Sequence, residues 1–238
     1  MIEVSEVTKD FGYVHALREV DLKIKTGEFV TVVGPSGCGK STLLRIIAGL
    51  VTPTDGKIIK PDSSKGAFVF QDAALLPWRT VQKNAELLME LEDGFSKNER
   101  VSRASSALQQ VGLVGFEKHY PHQLSGGMKM RLSLARSLVL SPEYLLLDEP
   151  LSAVDELTRE VLQEEIYALW KKEKITTILV THNVQEAVFL SNRVVVMSSR
   201  PGKVIDIFTV PFNDRNQKLR STPKFHKLVG DSSGKLRS

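Results

Sequence analysis

A glycine-rich segment between an apolar strand and an apolar helix limits the possible folds of this chain more than any other feature. Residues 34–42 read GPSGCGKST, follow the apolar run FVTVV and precede an apolar stretch at residues 43–50. Glycines let the backbone wrap around an anion, so that amide N–H groups and a helix N-terminus face it. The segment therefore predicts a phosphate-binding loop. A glycine-rich turn with an exposed lysine is the alternative.

We expect Lys40 to reach the β- and γ-phosphates of a nucleotide and Ser41 to ligate Mg²⁺. Cys38 is interpreted as a spacer whose backbone matters rather than as a redox thiol. The predicted ATP-binding residues of this loop are Gly34, Pro35, Ser36, Gly37, Cys38, Gly39, Lys40, Ser41 and Thr42.

Two adjacent acids follow the apolar run LLL at residues 145–147. Open α/β sheets bind ligands at the carboxyl ends of their strands. We therefore expect Asp148 to hold Mg²⁺, directly or through water, and Glu149 to accept a proton from the attacking water. The alternative is that both carboxylates cap the next segment. His182 ends the run TILVTH and is predicted as a catalytic residue at the same edge, with a purely structural histidine as the alternative.

Hydrophobic periodicity predicts the fold class. Short apolar runs at residues 28–34, 144–148, 177–182 and 193–197 predict a mainly parallel sheet with helices between its strands. Residues 2–7 and 20–24 alternate apolar and polar side chains, which predicts an N-terminal antiparallel β layer with a turn around Gly12. The chain is thus predicted to be an α/β protein with a phosphate-loop (P-loop) NTPase core.

Helical periodicity without a convincing strand runs from about residue 81 to 139, which predicts a helical lobe inserted into this core. Within it, Ser96 and Glu99 fit a capping box and Gly112 ends the pattern. Residues 1–212 are predicted to form the ATPase domain, and the basic residues 213–238 a loosely ordered tail. A solvated tail is favoured over contact with anionic lipid.

Composition excludes several classes of protein. The chain has 42% hydrophobic and 25% charged residues, which argues against disordered and fibrous proteins. Its net charge of +4 is spread along the sequence, unlike the basic patch of a nucleic-acid binder, so no nucleic-acid partner is expected. The chain start lacks a secretory pattern and no apolar run is long enough to span a membrane, which predicts a cytoplasmic protein.

A second anion site is suggested by the sequence LSGGM at residues 124–128. Ser125, Gly126 and Gly127 would present a hydroxyl and backbone donors at the start of a helix. An ordinary helix cap is the alternative.

The ordered motifs GPSGCGKST, FVFQD, LSGGM, LLLDEP, SAVD and TH strongly resemble those of ABC-type ATPase domains, over about residues 1–210. The resemblance implies a head-to-tail dimer, either a homodimer or an ABC heterodimer, with two ATP molecules at its interface. Ser125 and Gly127 would then act on the nucleotide of the partner subunit. Asp155 of the SAVD turn would lie at the dimer interface.

Two further roles follow from the same resemblance. Phe11 corresponds to the aromatic residue that stacks on adenine, although it could instead pack within the β layer. Gln71 corresponds to the residue that senses Mg²⁺ and the attacking water, and so counts both as a metal ligand and as a catalytic residue. Met128 and Asn183 stand where glutamine and aspartate are usual, which leaves the kinetics open.

The motif LSGGM, residues 75–81 (LLPWRTV) and residues 200–204 (RPGKV) are similar to the ATPases of nitrate, sulfonate and taurine importers. This implies an ATPase bound to membrane-embedded permease subunits at the cytoplasmic face of the membrane, working indirectly with a periplasmic or surface solute-binding protein. Residues 75–78 would dock a helix of the permease, or else pack within the helical lobe. A non-transport ABC ATPase and a nucleotide-binding regulator are the competing functions.

Overall fold

The computed structural model describes residues 1–61 and 65–236, and the chain divides into two compact units: residues 1–64 with 166–238, and residues 65–165. The strands are β1 (Ile2–Phe11), β2 (Val14–Ile24), β3 (Phe29–Val33), β4 (Asp55–Ile59), β5 (Gly66–Val69), β6 (Tyr144–Asp148), β7 (Thr176–Thr181), β8 (Arg193–Met197) and β9 (Val204–Thr209). The helices are α1 (Lys40–Ala48), α2 (Val81–Leu91), α3 (Lys97–Gln110), α4 (Gly126–Leu138), α5 (Glu156–Glu173), α6 (Val184–Leu190), α7 (Gln217–Arg220) and α8 (Pro223–Lys235), with a 3₁₀ turn at Pro121–Gln123. Among the described helices, none combines the length and apolarity needed to cross a bilayer.

The first unit opens with the predicted antiparallel layer, in which β1 lies between β2 and β4. Phe11 pairs with Val14, and Gly12 in the turn between them has a φ of 57°. This left-handed conformation is easy for glycine and strained for other residues, which explains the turn at this position. β4 was not predicted, because most of its residues are exposed and its sequence lacks an apolar alternation.

The first unit also contains the parallel strands, with β3 between β7 and β8 and with β9 antiparallel to β8. Every residue of β3 and β7 is buried, as the continuous apolar runs predicted. Val33 at the end of β3 pairs with Thr181 at the end of β7. Residues 34 and 182, which follow these two positions, therefore leave the sheet at one edge.

Helices α1 and α6 pack on these strands, α1 against β7 and α6 against β3. Helix α1 buries four aliphatic side chains, each of which contributes about 1.5–3 kcal/mol relative to exposure. These side chains are Leu43, Leu44, Ile46 and Ile47. The burial fixes the start of α1, and hence the glycine-rich loop before it, against the sheet.

The C-terminal segment differs from its prediction as a loosely ordered tail, because α7 and α8 form within it. Phe225 of α8 is 2% exposed, and α8 packs on α6. Arg215 is also buried and donates to the carbonyl of Phe189 at 2.9 Å, and this burial lowers its pKa to about 10. The polar composition hid these two anchors, because each is a single buried side chain in a largely exposed segment. Residues 237 and 238 of the predicted tail lie outside the described part.

The second unit contains the parallel pair β5 and β6, in which Val69 pairs with Leu147. The residues after both strands therefore leave the pair on the same side. Helices α2, α3 and α4 pack on one another and fill most of residues 81–138, with no strand in that described stretch. The helical lobe was predicted over these residues, and α5 then runs across the boundary between the two units.

Helix α3 begins where the sequence predicted. The hydroxyl of Ser96 accepts from the backbone N–H of Glu99 at 3.3 Å, and the carboxylate of Glu99 accepts from the N–H of Ser96 at 2.9 Å. The pKa of Glu99 lies below its ordinary value, chiefly because the hydroxyl and then the backbone N–H of Ser96 hydrogen-bond to its carboxylate and favour the charged form.

Ser96→Ala removes one half of this capping box, so we expect the free energy of unfolding to fall by about 1 kcal/mol. Urea unfolding followed by circular dichroism measures the change. Ser102→Ala, the same substitution at an exposed position inside α3, is the control and should leave stability unchanged or slightly higher, because alanine is the better helix former. Equal losses in the two variants would contradict the capping role of Ser96.

Candidate functional site

The glycine-rich loop joins β3 to α1 and turns sharply at two glycines. Gly37 has a φ of 73° and Gly39 a φ of 106°, a region that side chains other than glycine rarely adopt. A Cβ on Gly39 would lie 2.7 Å from the carbonyl oxygen of Ala16, so no larger residue fits. Gly39 directly precedes the first residue of α1. The backbone amides of the loop therefore lie next to the N-terminus of α1, which is the positive end of the helix dipole.

Lys40 is 4% exposed and its ammonium group points back into the loop. Nζ donates to the carbonyl oxygens of Gly34 at 2.9 Å and of Pro35 at 3.0 Å. A buried lysine requires an anion or hydrogen-bond acceptors around it, and here loop carbonyls supply them. This geometry differs from the alternative of a turn with an exposed lysine.

The loop fits a nucleotide triphosphate because it combines flexible glycines, a helix N-terminus and a buried ammonium group. The hydroxyl of Ser41, the second residue of α1, would be available to Mg²⁺ that binds together with the phosphates. Among the described residues, no group of three or more His, Cys, Asp or Glu side chains could hold a metal.

His182 follows the last residue of β7 and its side chain is exposed. The register of β7 with β3 places it at the sheet edge from which the glycine-rich loop leaves. Asn183 caps α6 by accepting from the N–H of Glu186 at 3.0 Å. Asparagine and aspartate cap helices about equally well, so this departure from the common pattern keeps the local structure around His182.

Phe11 lies at the end of β1 and is 50% exposed. The Nζ atom of Lys9 lies 4.8 Å from the centroid of its ring. The ring is therefore only partly covered by the β layer, and one of its surfaces is open to solvent.

In the second unit, Asp148 is the last residue of β6 and is 2% exposed. Glu149 follows it with a φ of 44°, a left-handed conformation that costs about 1–3 kcal/mol for a residue other than glycine. Its carbonyl oxygen accepts from the N–H of Ser152 at 3.1 Å in a turn. The two acids therefore precede a turn rather than cap a helix.

The residue that caps α5 is Asp155, which accepts from the N–H of Thr158 at 3.0 Å. Its pKa is lowered, above all by this backbone hydrogen bond. Asp155 is exposed, so its carboxylate is also available to a partner molecule. The predicted interface residue thus has a local structural role as well.

The sequence LSGGM forms the start of α4. The hydroxyl of Ser125 accepts from the N–H of Met128 at 3.3 Å, so the ordinary helix cap is present. Gly126 is exposed, whereas Gly127 is buried where a Cβ would lie 2.7 Å from Cγ2 of Thr158. Gly127 is therefore needed for close packing of α4 on α5, and Ser125 and Gly126 form the exposed part of the motif.

A cavity of about 430 Å³ in the second unit brings three of the motifs together. Gln71, Gly126 and Ala153 all line it, and these come from FVFQD, LSGGM and SAVD respectively. The segment after Gln71 is held in place by Arg136 of α4, whose guanidinium donates to the carbonyls of Ala73 and Ala74, both at 2.8 Å. Burial lowers the pKa of Arg136.

Two residues that shape this region were not predicted. They are Arg136 and Asn84, and the amide group of Asn84 bonds to the backbone of Leu76, Arg79 and Thr80. Both side chains position a loop through backbone groups. Such contacts have no signature in the sequence, because any residue supplies the same carbonyl and N–H groups.

The family model described as ABC transporter matches residues 17–152. The chain belongs to the ABC transporter family. A nitrate import ATP-binding protein of Synechocystis is 41% identical over 99% of this chain and 95% of its own length. An aliphatic sulfonates import ATP-binding protein of Bacillus cereus is 44% identical over 85% of this chain and 83% of its own length. A taurine import ATP-binding protein of Yersinia pestis is 40% identical over 99% of this chain and 97% of its own length.

A solved dimeric ABC cassette, whose structure was determined in a post-hydrolysis state with ADP and phosphate, is 34% identical. It aligns over 90% of this chain and all of its own, with a TM-score of 0.77. The predicted fold class and family are confirmed. This ABC chain is an ATPase that uses ATP with Mg²⁺, as its loop and its paired acids predicted.

Proposed function

We propose that the protein is the ATP-hydrolysing subunit of an importer and couples hydrolysis to uptake of a small solute, an anion such as nitrate, sulfonate or taurine. Support comes from relatives named for these substrates, each aligned over most of its length. One structural observation carries the proposal beyond family membership: an apolar segment with an exposed tryptophan is rigidly presented after Gln71. An exposed apolar surface of this kind suits the docking of another protein chain.

This docking segment, residues 75–79, is held in place by two side chains of α2. The amide of Asn84 accepts from the N–H of Leu76 at 2.8 Å and donates to the carbonyl of Leu76 at 3.1 Å. The guanidinium of Arg79 pairs with Glu90 at 2.6 Å. Trp78 is nevertheless 71% exposed, so its ring does not pack within the helical lobe. Aromatic residues held rigidly at the surface are characteristic anchors of protein interfaces.

The proposed occupant of this surface is a helix of a membrane-embedded permease. Such a helix would place apolar side chains against Trp78 and the neighbouring leucines. The ATPase would then work at the cytoplasmic face of the membrane, with a periplasmic or surface solute-binding protein delivering solute to the permease. Because the segment directly follows Gln71, a change at the nucleotide site would reach the permease through few residues.

The proposed roles of the ATP-site residues are those that the sequence predicts. Residues 34–42 bind the triphosphate, Phe11 stacks on adenine, and Ser41, Gln71 and Asp148 hold Mg²⁺, which when bound neutralises charge on the phosphates. Glu149 takes the proton of the attacking water. His182 provides a further hydrogen-bonding group at the sheet edge where the loop begins.

The active form is proposed to be a head-to-tail dimer with itself or with another ABC subunit. Ser125 and Gly126 expose a hydroxyl and backbone amides at a helix start, which suit the phosphates of a nucleotide held by the partner subunit. Gly127 would contribute its backbone, and Asp155 would contact the partner. ATP binding would close the dimer and hydrolysis would open it.

Trp78→Ala tests the importer function, because the docking surface loses its largest side chain. We expect the wild-type chain, purified from detergent-solubilised membranes of its own cells, to carry a membrane-spanning subunit. We expect the variant to carry at least about 90% less of this membrane-spanning subunit, since interface tryptophans commonly contribute 2 kcal/mol or more to binding. Basal ATP hydrolysis by the isolated variant should be unchanged.

Leu91→Ala is the matched control, because Leu91 is 76% exposed in the same unit and lies at the far end of α2. It should retain the membrane subunit. A wild-type chain that never carries a membrane-spanning subunit would refute the importer function, and equal retention by the two variants would refute the docking segment.

A further inference from the structure

The loop between β8 and β9, residues 198–203, lies directly against the phosphate loop. Arg200 donates from Nε at 3.0 Å and from Nη2 at 2.8 Å to the carbonyl oxygen of Gly37. Both bonds come from a cationic group, which makes them stronger than bonds between neutral partners. The sequence at residues 200–204 resembles that of the importer branch, but neither this resemblance nor the proposed function gives the contact a role.

Gly202 fixes the β8–β9 loop in place. A Cβ at this residue would lie 2.1 Å from the carbonyl oxygen of Cys38, so only glycine permits the contact. On either side of the same residue, its N–H donates to Ala16 at 3.0 Å and its carbonyl accepts from Arg18 at 3.1 Å. The loop is therefore held against both β2 and the phosphate loop, and the backbone that carries Arg200 is well defined.

The position of Arg200 has a consequence for the amides of the phosphate loop. In a trans peptide the C=O and N–H groups point in opposite directions. By holding the carbonyl of Gly37, Arg200 thus fixes the direction of the N–H of Cys38 on the opposite side of the peptide. That N–H donates to Pro35 at 3.3 Å, the long end of the hydrogen-bond range. A phosphate oxygen would be a stronger acceptor for it.

Gly37 makes this anchoring necessary. Its φ is 73°, and glycine has little intrinsic preference between this left-handed region and negative φ. Without an external bond, the Gly37–Cys38 peptide would sample other orientations and would have to be ordered when phosphate binds. Ordering at that moment reduces affinity.

We propose that Arg200 is a positioning residue for nucleotide binding, which holds the Gly37–Cys38 peptide in the orientation that receives phosphate. Arg200 acts from outside the loop and touches no reacting atom. The inference rests on the proposed role of residues 34–42 as the triphosphate site. It assigns a function to the RPGK sequence, which joins a cationic anchor to the glycine that allows the close approach.

The test compares Arg200→Gln, Arg200→Lys and the control Lys203→Gln in the isolated ATPase. Lys203 belongs to the same loop and its side chain is exposed, so the control removes one positive charge without removing the bonds to Gly37. Calorimetry gives the Kd of MgATP, steady-state assays give KM and kcat, and thermal unfolding reports stability.

We expect Arg200→Gln to raise the Kd and KM about tenfold, equivalent to ~1.4 kcal/mol, with kcat changed less than about twofold because the bond is the same before and during the reaction. Arg200→Lys should fall between wild type and Arg200→Gln, since it keeps the charge but loses the paired donors. Lys203→Gln should bind as wild type does.

Three results would overturn the proposal. Unchanged affinity in Arg200→Gln would show that the bonds to Gly37 do not matter, and equal losses in Lys203→Gln would assign the effect to net charge. If kcat and thermal stability both fell while the Kd did not change, Arg200 would have a purely structural role. A wild-type chain that failed to bind MgATP would instead contradict the proposed function.

Discussion

Glu149→Gln should lower the rate of ATP hydrolysis at least about 100-fold while leaving ATP bound, because a general base contributes roughly 10²–10⁴ to the rate. The amide has nearly the same shape as the carboxylate, but it does not take a proton from water. Glu149 directly follows the buried strand β6 and its backbone is held in a left-handed conformation with a φ of 44°. A fold tolerates such strain where the side chain is needed in one direction.

Phosphate release under saturating MgATP measures the loss, and calorimetry with the same preparation measures binding. Glu143→Gln is the matched control: Glu143 is exposed, immediately precedes β6, and therefore lies at the opposite end of the same strand. This control should hydrolyse ATP at the wild-type rate. Wild-type turnover in Glu149→Gln would remove the general-base role from this residue.

The same variant also reports on the proposed dimer. If hydrolysis opens the closed pair, a variant that binds MgATP and does not hydrolyse it should accumulate as a dimer. Sedimentation velocity should show this species with MgATP and monomers without nucleotide. Monomers under both conditions would contradict the placement of Ser125 and Asp155 at a shared interface.

The parts of the fold that the sequence predicted are those whose signal is local. The runs that became β3, β6, β7 and β8 are mostly apolar because nearly all of their residues are buried, and Ser96 with Glu99 forms a capping box within four residues. The strands β5 and β9 lack such a signal. β5 has only four residues, and β9 has no fully buried one. The helix α8 was missed because one buried residue, Phe225, provides much of its anchoring.

The residues of the candidate site also divide into those with a local signal in the sequence and those without one. Lys40, Asp148, Glu149 and His182 were predicted because each directly follows or belongs to a motif at the end of an apolar strand. Arg200 was not, since its bond to Gly37 joins residues 163 positions apart and uses a backbone carbonyl that any residue would offer. The residues proposed to contact ligand thus have a signal in the sequence, whereas the contacts that hold their loops are seen only in the three-dimensional structure.

Lys40→Ala should raise the Kd for MgATP at least about 100-fold, equivalent to ~2.7 kcal/mol. The ammonium group is 4% exposed and is already desolvated within the loop. Binding therefore exchanges two neutral acceptors, the carbonyls of Gly34 and Pro35, for phosphate oxygens that carry charge. Hydrogen bonds between charged partners are about twice as strong as those between neutral groups, and alanine supplies neither the donors nor the charge.

Calorimetric titration with MgATP gives the Kd of each variant. Lys60→Ala is a suitable control, because Nζ of Lys60 also donates to a backbone carbonyl of the first unit, that of Ile47 at 3.2 Å. It should bind MgATP as wild type does. Since Lys40→Ala also removes the bonds from Nζ to Gly34 and Pro35, thermal unfolding of both variants separates lost affinity from lost structure. A folded Lys40→Ala protein with wild-type affinity would contradict the assignment of residues 34–42 as the triphosphate site, because that assignment depends on the buried positive charge of Lys40.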